Sequence, residues 1–266
     1  MDEGTGTFWD HLEELRNCLL RIVGITVTVA VVAFALKGPL FDIVLAPTRD
    51  DFFVYRLIGA GSFHINLINT GLTEQLMMHL KMALYAGLLM ASPYVSYELF
   101  QFISPALYQN ERRYTVRATG SAYLLFIIGT VVNYVLIFPF TLRFLGTYQV
   151  SEEVTNMLTL QSYVDTLINM SLMMGLVFEL PVLCWLLAKT GVLTSSLMRQ
   201  YRRHAVVAIL VVAAIITPTT DVFTLTVVSL PIWGLFEFSI FIVGITEKGR
   251  KEEDTPSAPA TDSEEQ

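Results

Sequence analysis

Long apolar runs constrain this chain more than any other feature. A segment of about 20 mainly apolar residues is long enough to cross the hydrocarbon core, where only a helix or a closed barrel satisfies its own backbone. The runs 19–36, 119–140 and 167–188 meet that length, and 80–102 meets it despite Lys81, Pro93 and Glu98. With 53% hydrophobic and only 15% charged residues, the chain is too apolar for an ordinary soluble domain.

The region 205–245 is interrupted by TPTTD at 217–221. One continuous helix would carry Pro218 and Asp221 at its centre, so two crossings joined by a tight turn are expected. The expected fold is therefore an all-α integral membrane protein with six transmembrane helices, at about 19–36, 74–102, 116–140, 163–188, 203–217 and 222–245, forming one domain over 1–245. The last two spans are expected to be short, which thins the bilayer or calls for a covering partner. Residues 246–266, rich in acids and poor in apolar side chains, are expected to form a disordered tail. From Glu247 onward seven acids face three bases, which accounts for four of the seven net negative charges.

An even number of spans puts both ends on one side. Twelve Lys and Arg residues then share that side, against Lys37, Arg49, Arg56 and Arg143 on the other. By the positive-inside rule the N- and C-termini are cytoplasmic. The outer side carries a long loop at 37–71, where DFFVYRLIG suggests short surface helices, and a smaller polar loop at 141–161. The N-terminus opens with acids and an amphipathic stretch, which speaks against a cleavable signal peptide.

Several polar groups stand out. In TFWDHLEELRNCLLRI (7–22), apolar residues recur at helical spacing while Glu13, Glu14 and Arg16 make a polar side; this is either an ordinary interfacial helix or a binding face. ISPALYQNERR (103–113) sets Glu111 beside Arg112 and Arg113 on the same side of the membrane, so Glu111 either orders its loop through these bases or receives a partner. Glu179, within VFELPV, is a carboxylate in mid-span, and such a group costs about 2.5–3.5 kcal/mol to insert unless a cavity, a partner or a proton accommodates it. Glu98, Lys81 and Glu237 lie nearer span ends, where snorkelling is cheap. Cys18 and Cys184 sit inside apolar runs and read as small buried hydrophobes.

Catalytic signatures are missing: HExxH, GxSxG, the P-loop and the dinucleotide fingerprint do not occur, and the four histidines are scattered. The chain reads as neither an enzyme nor a cofactor or nucleic-acid binder. No internal repeat is evident, unlike the inverted repeats of many transporters. A proton-coupled small-solute transporter using Glu179, Lys81 and Glu98 is the alternative reading.

HLEELRNCLLR (11–21), Ala46-Pro47, YELFQFISPALYQNERR (97–113), FELPV (178–182) and ITPTTDVFT (216–224) occur in an order that resembles the TatC family, the receptor subunit of the twin-arginine protein translocase. The similarity covers about residues 7–245. Two departures are visible: TPTTDVF is one residue longer than the TPPDVF of many relatives, and Leu225 stands where glutamine is common.

The resemblance implies a glove-shaped bundle of six helices in the bacterial cytoplasmic (inner) membrane. It implies a receptor that binds the twin-arginine signal peptides of folded precursors. Single-span subunits of TatA type, with or without a TatB type, are the implied partners, together with membrane lipids and further copies of the chain, in export driven by the proton-motive force. By the same resemblance Glu14, Glu111, Arg16, Phe102 and Arg112 belong to the signal-binding site, Glu179 is the carboxylate of the concave face, and Pro47 and Asp221 are functional residues of the outer loops. A signal with paired arginines suits fixed carboxylates, because each guanidinium donates two parallel hydrogen bonds that lysine cannot reproduce.

Overall fold

The computed structural model describes residues 8–57, 59, 65–107, 112–149, 151, 157–219 and 221–253. The chain starts with one long helix, α1 (Phe8–Ala35), in which the amphipathic entry and the first apolar run are continuous. No proline or helix-breaking pair interrupts it before Lys37-Gly38-Pro39. There the chain turns into a cap built from α2 (Lys37–Val44), a 3-10 turn (Ala46–Thr48), α3 (Phe53–Leu57) and the strand β1 (Leu67–Ile68).

The chain then recrosses in α4 (Glu74–Leu107). Pro93 and Pro105 both lie within this helix. The third crossing runs from α5 (Arg112–Val132) through a π turn (Asn133–Ile137) into α6 (Phe138–Thr147). The wide turn has a local cause. Pro139 has no N–H to donate and its ring would clash with the carbonyl four residues back. The extra residue relieves that conflict, and the Phe138 N–H reaches the Asn133 carbonyl instead. Because Thr141 and Leu142 are buried, the helix continues to Thr147, and the polar loop is shorter than the expected 141–161.

Strand β2 (Leu158–Thr159) pairs in parallel with β1 and leads into α7 (Leu160–Val177). After a break at Phe178–Glu179 the fourth crossing resumes as α8 (Leu180–Lys189). The short α9 (Ser195–Gln200) precedes α10 (Arg202–Ile216) and α11 (Val222–Glu253). The 15 residues of α10 span only about 22 Å, short of the roughly 30 Å core. The last helix is different. Its 32 residues make it long, and residues 246–253, expected in the tail, are helical and extend it. The rest of the expected tail, 254–266, lies outside the described residues.

Four helical segments, within 12–35, 119–147, 160–189 and 222–249, are long and apolar enough to cross a membrane by composition alone. The second and fifth crossings, α4 and α10, complete the six: α4 is diluted by tyrosines, serines and Glu98, and α10 is short. Apolar side chains face outward as well as inward. Leu20, Val23, Val27 and Val31 form an exposed stripe at helical spacing on α1, as expected of a surface that meets lipid.

Packing depends on small residues. A Cβ on Gly87 of α4 would stand 2.7 Å from the Cβ of Ala30, so α1 and α4 touch backbone to backbone. The same holds between α5 and α7, where Gly129 lies under Phe178 and Gly175 under Phe126. Around these contacts Ile137, Phe138, Val164, Met170, Met174, Val228 and Ile232 form one buried core, and Ala188, Met198, Ile240 and Val243 a second beneath α9.

Candidate functional site: a cleft between the first and fourth helices

The end of the bundle that carries the start of α1 and the end of α4 opens into a cleft of about 380 Å³. Glu13, Glu14, Asn17, Cys18 and Arg21 line one wall, and Glu98, Gln101 and Phe102 the other. Positions 14, 17, 18 and 21 fall on one helical face, as do 94, 98 and 101–102. The tight Ala30–Gly87 contact holds the two helices together farther along, so their polar ends present these faces to each other.

Two of the expected site residues, Glu14 and Phe102, thus face one cleft. Arg16 does not line it: its side chain is exposed and pairs with Glu13 at 3.6 Å along the same helix. Glu111 lies outside the described residues. Arg112 begins α5, but its side chain is also outside them.

The carboxylate the sequence reading undervalued is Glu98. Its side chain is only 7% exposed and receives the Tyr94 hydroxyl on Oε1 at 2.7 Å and the Arg21 guanidinium on Oε2 at 3.3 Å. The Cys18 thiol donates to the Glu98 backbone carbonyl at 3.7 Å, so both helices hold this residue. The signal for Glu98 was present: Tyr94, Glu98 and Phe102 repeat every four residues. What the sequence lacked was the knowledge that this face looks at α1.

The other singled-out charges sit elsewhere. Lys81 donates to Asp165 at 2.7 Å across α4 and α7, beside a recess of about 600 Å³ that includes Thr26, Tyr85 and Asn169. Lys81 and Glu98 are separated by about 26 Å along α4. Glu179 occupies the break between α7 and α8, half-buried at the N-cap position of α8, where its side chain makes no capping bond. It does not line the cleft. The three charges of the transporter reading therefore occupy separate places. Glu237, expected to snorkel, accepts from Arg202 at 2.6 Å.

At the opposite end Pro47 is buried in the 3-10 turn, and its carbonyl accepts from the Tyr55 hydroxyl at 3.0 Å. Asp221 caps α11: Oδ1 accepts from the Thr224 N–H at 2.8 Å and Oδ2 from the Thr219 hydroxyl. Partial burial pushes this carboxyl up, but the bonds from Thr219 and Thr224 outweigh it and hold it below its ordinary value.

Comparison with known proteins points the same way as the geometry. The family described as "Sec-independent protein translocase protein (TatC)" matches residues 10–231. A protein of that name from Koribacter versatilis is 36% identical over 237 residues, covering 88% of this chain and 83% of the relative. Its counterpart from Deinococcus radiodurans is 32% identical over 251 residues, covering 94% and 90%. Among solved structures, a crystal structure of the twin-arginine translocase receptor TatC in DDM superposes with a TM-score of 0.72 at 30% identity, covering 87% of this chain and 98% of that one.

Proposed function

From the premise that this chain belongs to the TatC family of Sec-independent protein translocase components, and is a multi-pass protein of the inner membrane, we propose that it is the receptor that binds twin-arginine signal peptides at the cleft between α1 and α4. The observation that carries this reading is that Glu14 and Phe102, far apart in sequence, line one cleft at the end of the bundle where the lysines and arginines concentrate. That charge bias supports a cytoplasmic placement of this end. Precursors arrive from that side.

The chemistry fits the ligand. A carboxylate on the cleft wall accepts two parallel N–H bonds from a guanidinium, and Glu111, which the family resemblance assigns to the same site, supplies a second acceptor. Exposed ion pairs are worth about 0–1 kcal/mol each, so charge selects the signal without holding it firmly. The apolar segment that follows the arginines adds affinity by lying along the apolar helical face beyond Phe102, toward Glu179. Arg16, paired with Glu13, orients the acidic wall, and the family resemblance assigns Arg112 to the same site.

Single-span subunits of TatA type, with or without a TatB type, and further copies of this chain assemble around the bundle. The short α10 offers the place where bilayer thickness and helix length disagree most. The membrane potential supplies energy, about 2.3 kcal/mol for each charge moved through 100 mV. Pro47 and Asp221 hold the outer turns on which this assembly closes.

Site-specific crosslinking of a precursor to the full chain in membranes tests the reading. An Arg-Arg signal crosslinks at position 101, a Lys-Lys signal does so weakly, and Glu14→Ala and Glu111→Ala each weaken the adduct. Equal crosslinking of both signals, indifferent to both substitutions, would overturn it.

A further inference from the structure

We propose that Glu98 is a guanidinium-binding subsite of the cleft, held in the signal-free chain by the protein's own Arg21, and that a signal arginine takes Arg21's place when it binds. The inference rests on the signal-binding reading of the cleft and adds an internal competitor to it.

The two partners are unequal. Glu98 is fixed: its side chain is 7% exposed, Tyr94 holds one oxygen at 2.7 Å, and the Cys18 thiol holds its backbone carbonyl. Arg21 is 59% exposed and reaches Glu98 through a single nitrogen, Nη1, at 3.3 Å. That is a long contact for a charge-assisted bond, which is ordinarily about 2.7–2.9 Å, and it does not use the paired geometry a guanidinium offers a carboxylate. The carboxylate lines the cleft beside Glu13 and Glu14, so a guest cation attracted by those acids meets it.

A nearly buried carboxylate without a counter-charge is costly, which explains why Glu98 keeps a cation of the chain's own beside it. Exchanging one guanidinium for another leaves the charge of the site unchanged. The exchange favours a guest that forms the planar two-bond fork and disfavours an ammonium, which binds as a point charge. Glu98 therefore sharpens discrimination of arginine from lysine, while Arg21 limits affinity and hastens release.

The test titrates labelled signal peptides, Arg-Arg and Lys-Lys, against the full-length protein in nanodiscs. Arg21→Met is expected to tighten Arg-Arg binding about threefold to fivefold, the size of an exposed ion pair. In a Glu98→Gln background the same substitution gains nothing, and Glu98→Gln alone narrows the Arg-Arg to Lys-Lys ratio. Arg21→Lys keeps a positive charge beside Glu98, covers the case in which Arg21→Met does not fold, and tightens binding in the same direction.

The idea fails if neither Arg21 variant tightens binding while Glu14→Gln still weakens it. A gain that persists in Glu98→Gln also sinks it, because that pattern is general charge repulsion. If Glu14→Gln has no effect and Arg-Arg and Lys-Lys bind alike, the signal-binding reading falls first and this inference with it.

Discussion

The two ends of the bundle treat polar groups in opposite ways. At the capped end the chain spends its donors on itself. Tyrosine hydroxyls bond to carbonyls at the end of α2 and in the following turn, Tyr134 to Ile43, Tyr163 to Val44 and Tyr55 to Pro47, and Tyr55 also reaches the Pro139 carbonyl of α6. Glu74 accepts the N–H groups of Thr70, Gly71 and Gln161 and so ties α4 to the start of α7, while β1 pairs with β2 alongside. At the cleft end Glu13, Glu14 and Glu98 line one cleft, Glu13 paired with Arg16 and Glu98 with the exposed Arg21. One end is closed by its own hydrogen bonds, and the other sets several charged side chains around a cleft. On the proposed function, stability and recognition sit at opposite ends of the bundle.

The largest effect that would test this separation lies at the cap. Tyr55 is 1% exposed and Tyr163 2%, so Tyr55→Phe or Tyr163→Phe leaves buried carbonyls without a donor. Each should cost about 1–3 kcal/mol of stability, read as a lower thermal midpoint in detergent, with signal affinity unchanged in the folded fraction. Affinity that falls in step with stability would show that the two ends are coupled.

The same contrast explains what could be read from the sequence. Apolar runs are local facts, so the crossings were legible, and so was the turn at 217–221, because proline and a carboxylate cannot sit in mid-membrane unaided. The cap was not legible, since a tyrosine hydroxyl such as that of Tyr163 finds the Val44 carbonyl 119 residues away. The end of α11 was misjudged for a related reason. Charge and low hydropathy after Ile245 mark the end of the apolar band, but a helix that has left the membrane ends where its backbone stops bonding, and this one continues to Glu253. At the cleft, Glu14 and Phe102 are singled out through a motif. Glu98 was discounted as a span-end residue because its partner Arg21 is 77 residues away on another helix.

A smaller effect is expected at the cleft itself. Glu14 is exposed, so Glu14→Gln should weaken Arg-Arg signal binding by about fivefold, roughly 1 kcal/mol, and leave the thermal midpoint where it was. Equilibrium titration beside a melting curve separates the two. If the midpoint drops as far as it does in the tyrosine variants, Glu14 is part of the scaffold, and the contrast between the two ends does not hold.

The smallest expected effect concerns Asp221, a carboxylate at the capped end that is used there as a structural group. Its bonds to Thr224 and Thr219 cap α11, so Asp221→Ala should cost about 0.5–1 kcal/mol, while Asp221→Asn, itself a good cap, should cost less. Because the folded carboxyl is held below its ordinary 3.8, its contribution is present above that pH and is lost as pH falls through the lower folded value. The gap between the unfolding midpoints of wild type and Asp221→Ala should therefore be full at pH 7 and close as the pH is taken well below 3.8. The Asn variant should show no such acid dependence at this position. A gap that is the same at both pH values would mean that the charge on Asp221 contributes nothing to the cap, and the carboxylate would then be available for a role in the outer turn that its hydrogen bonds do not explain.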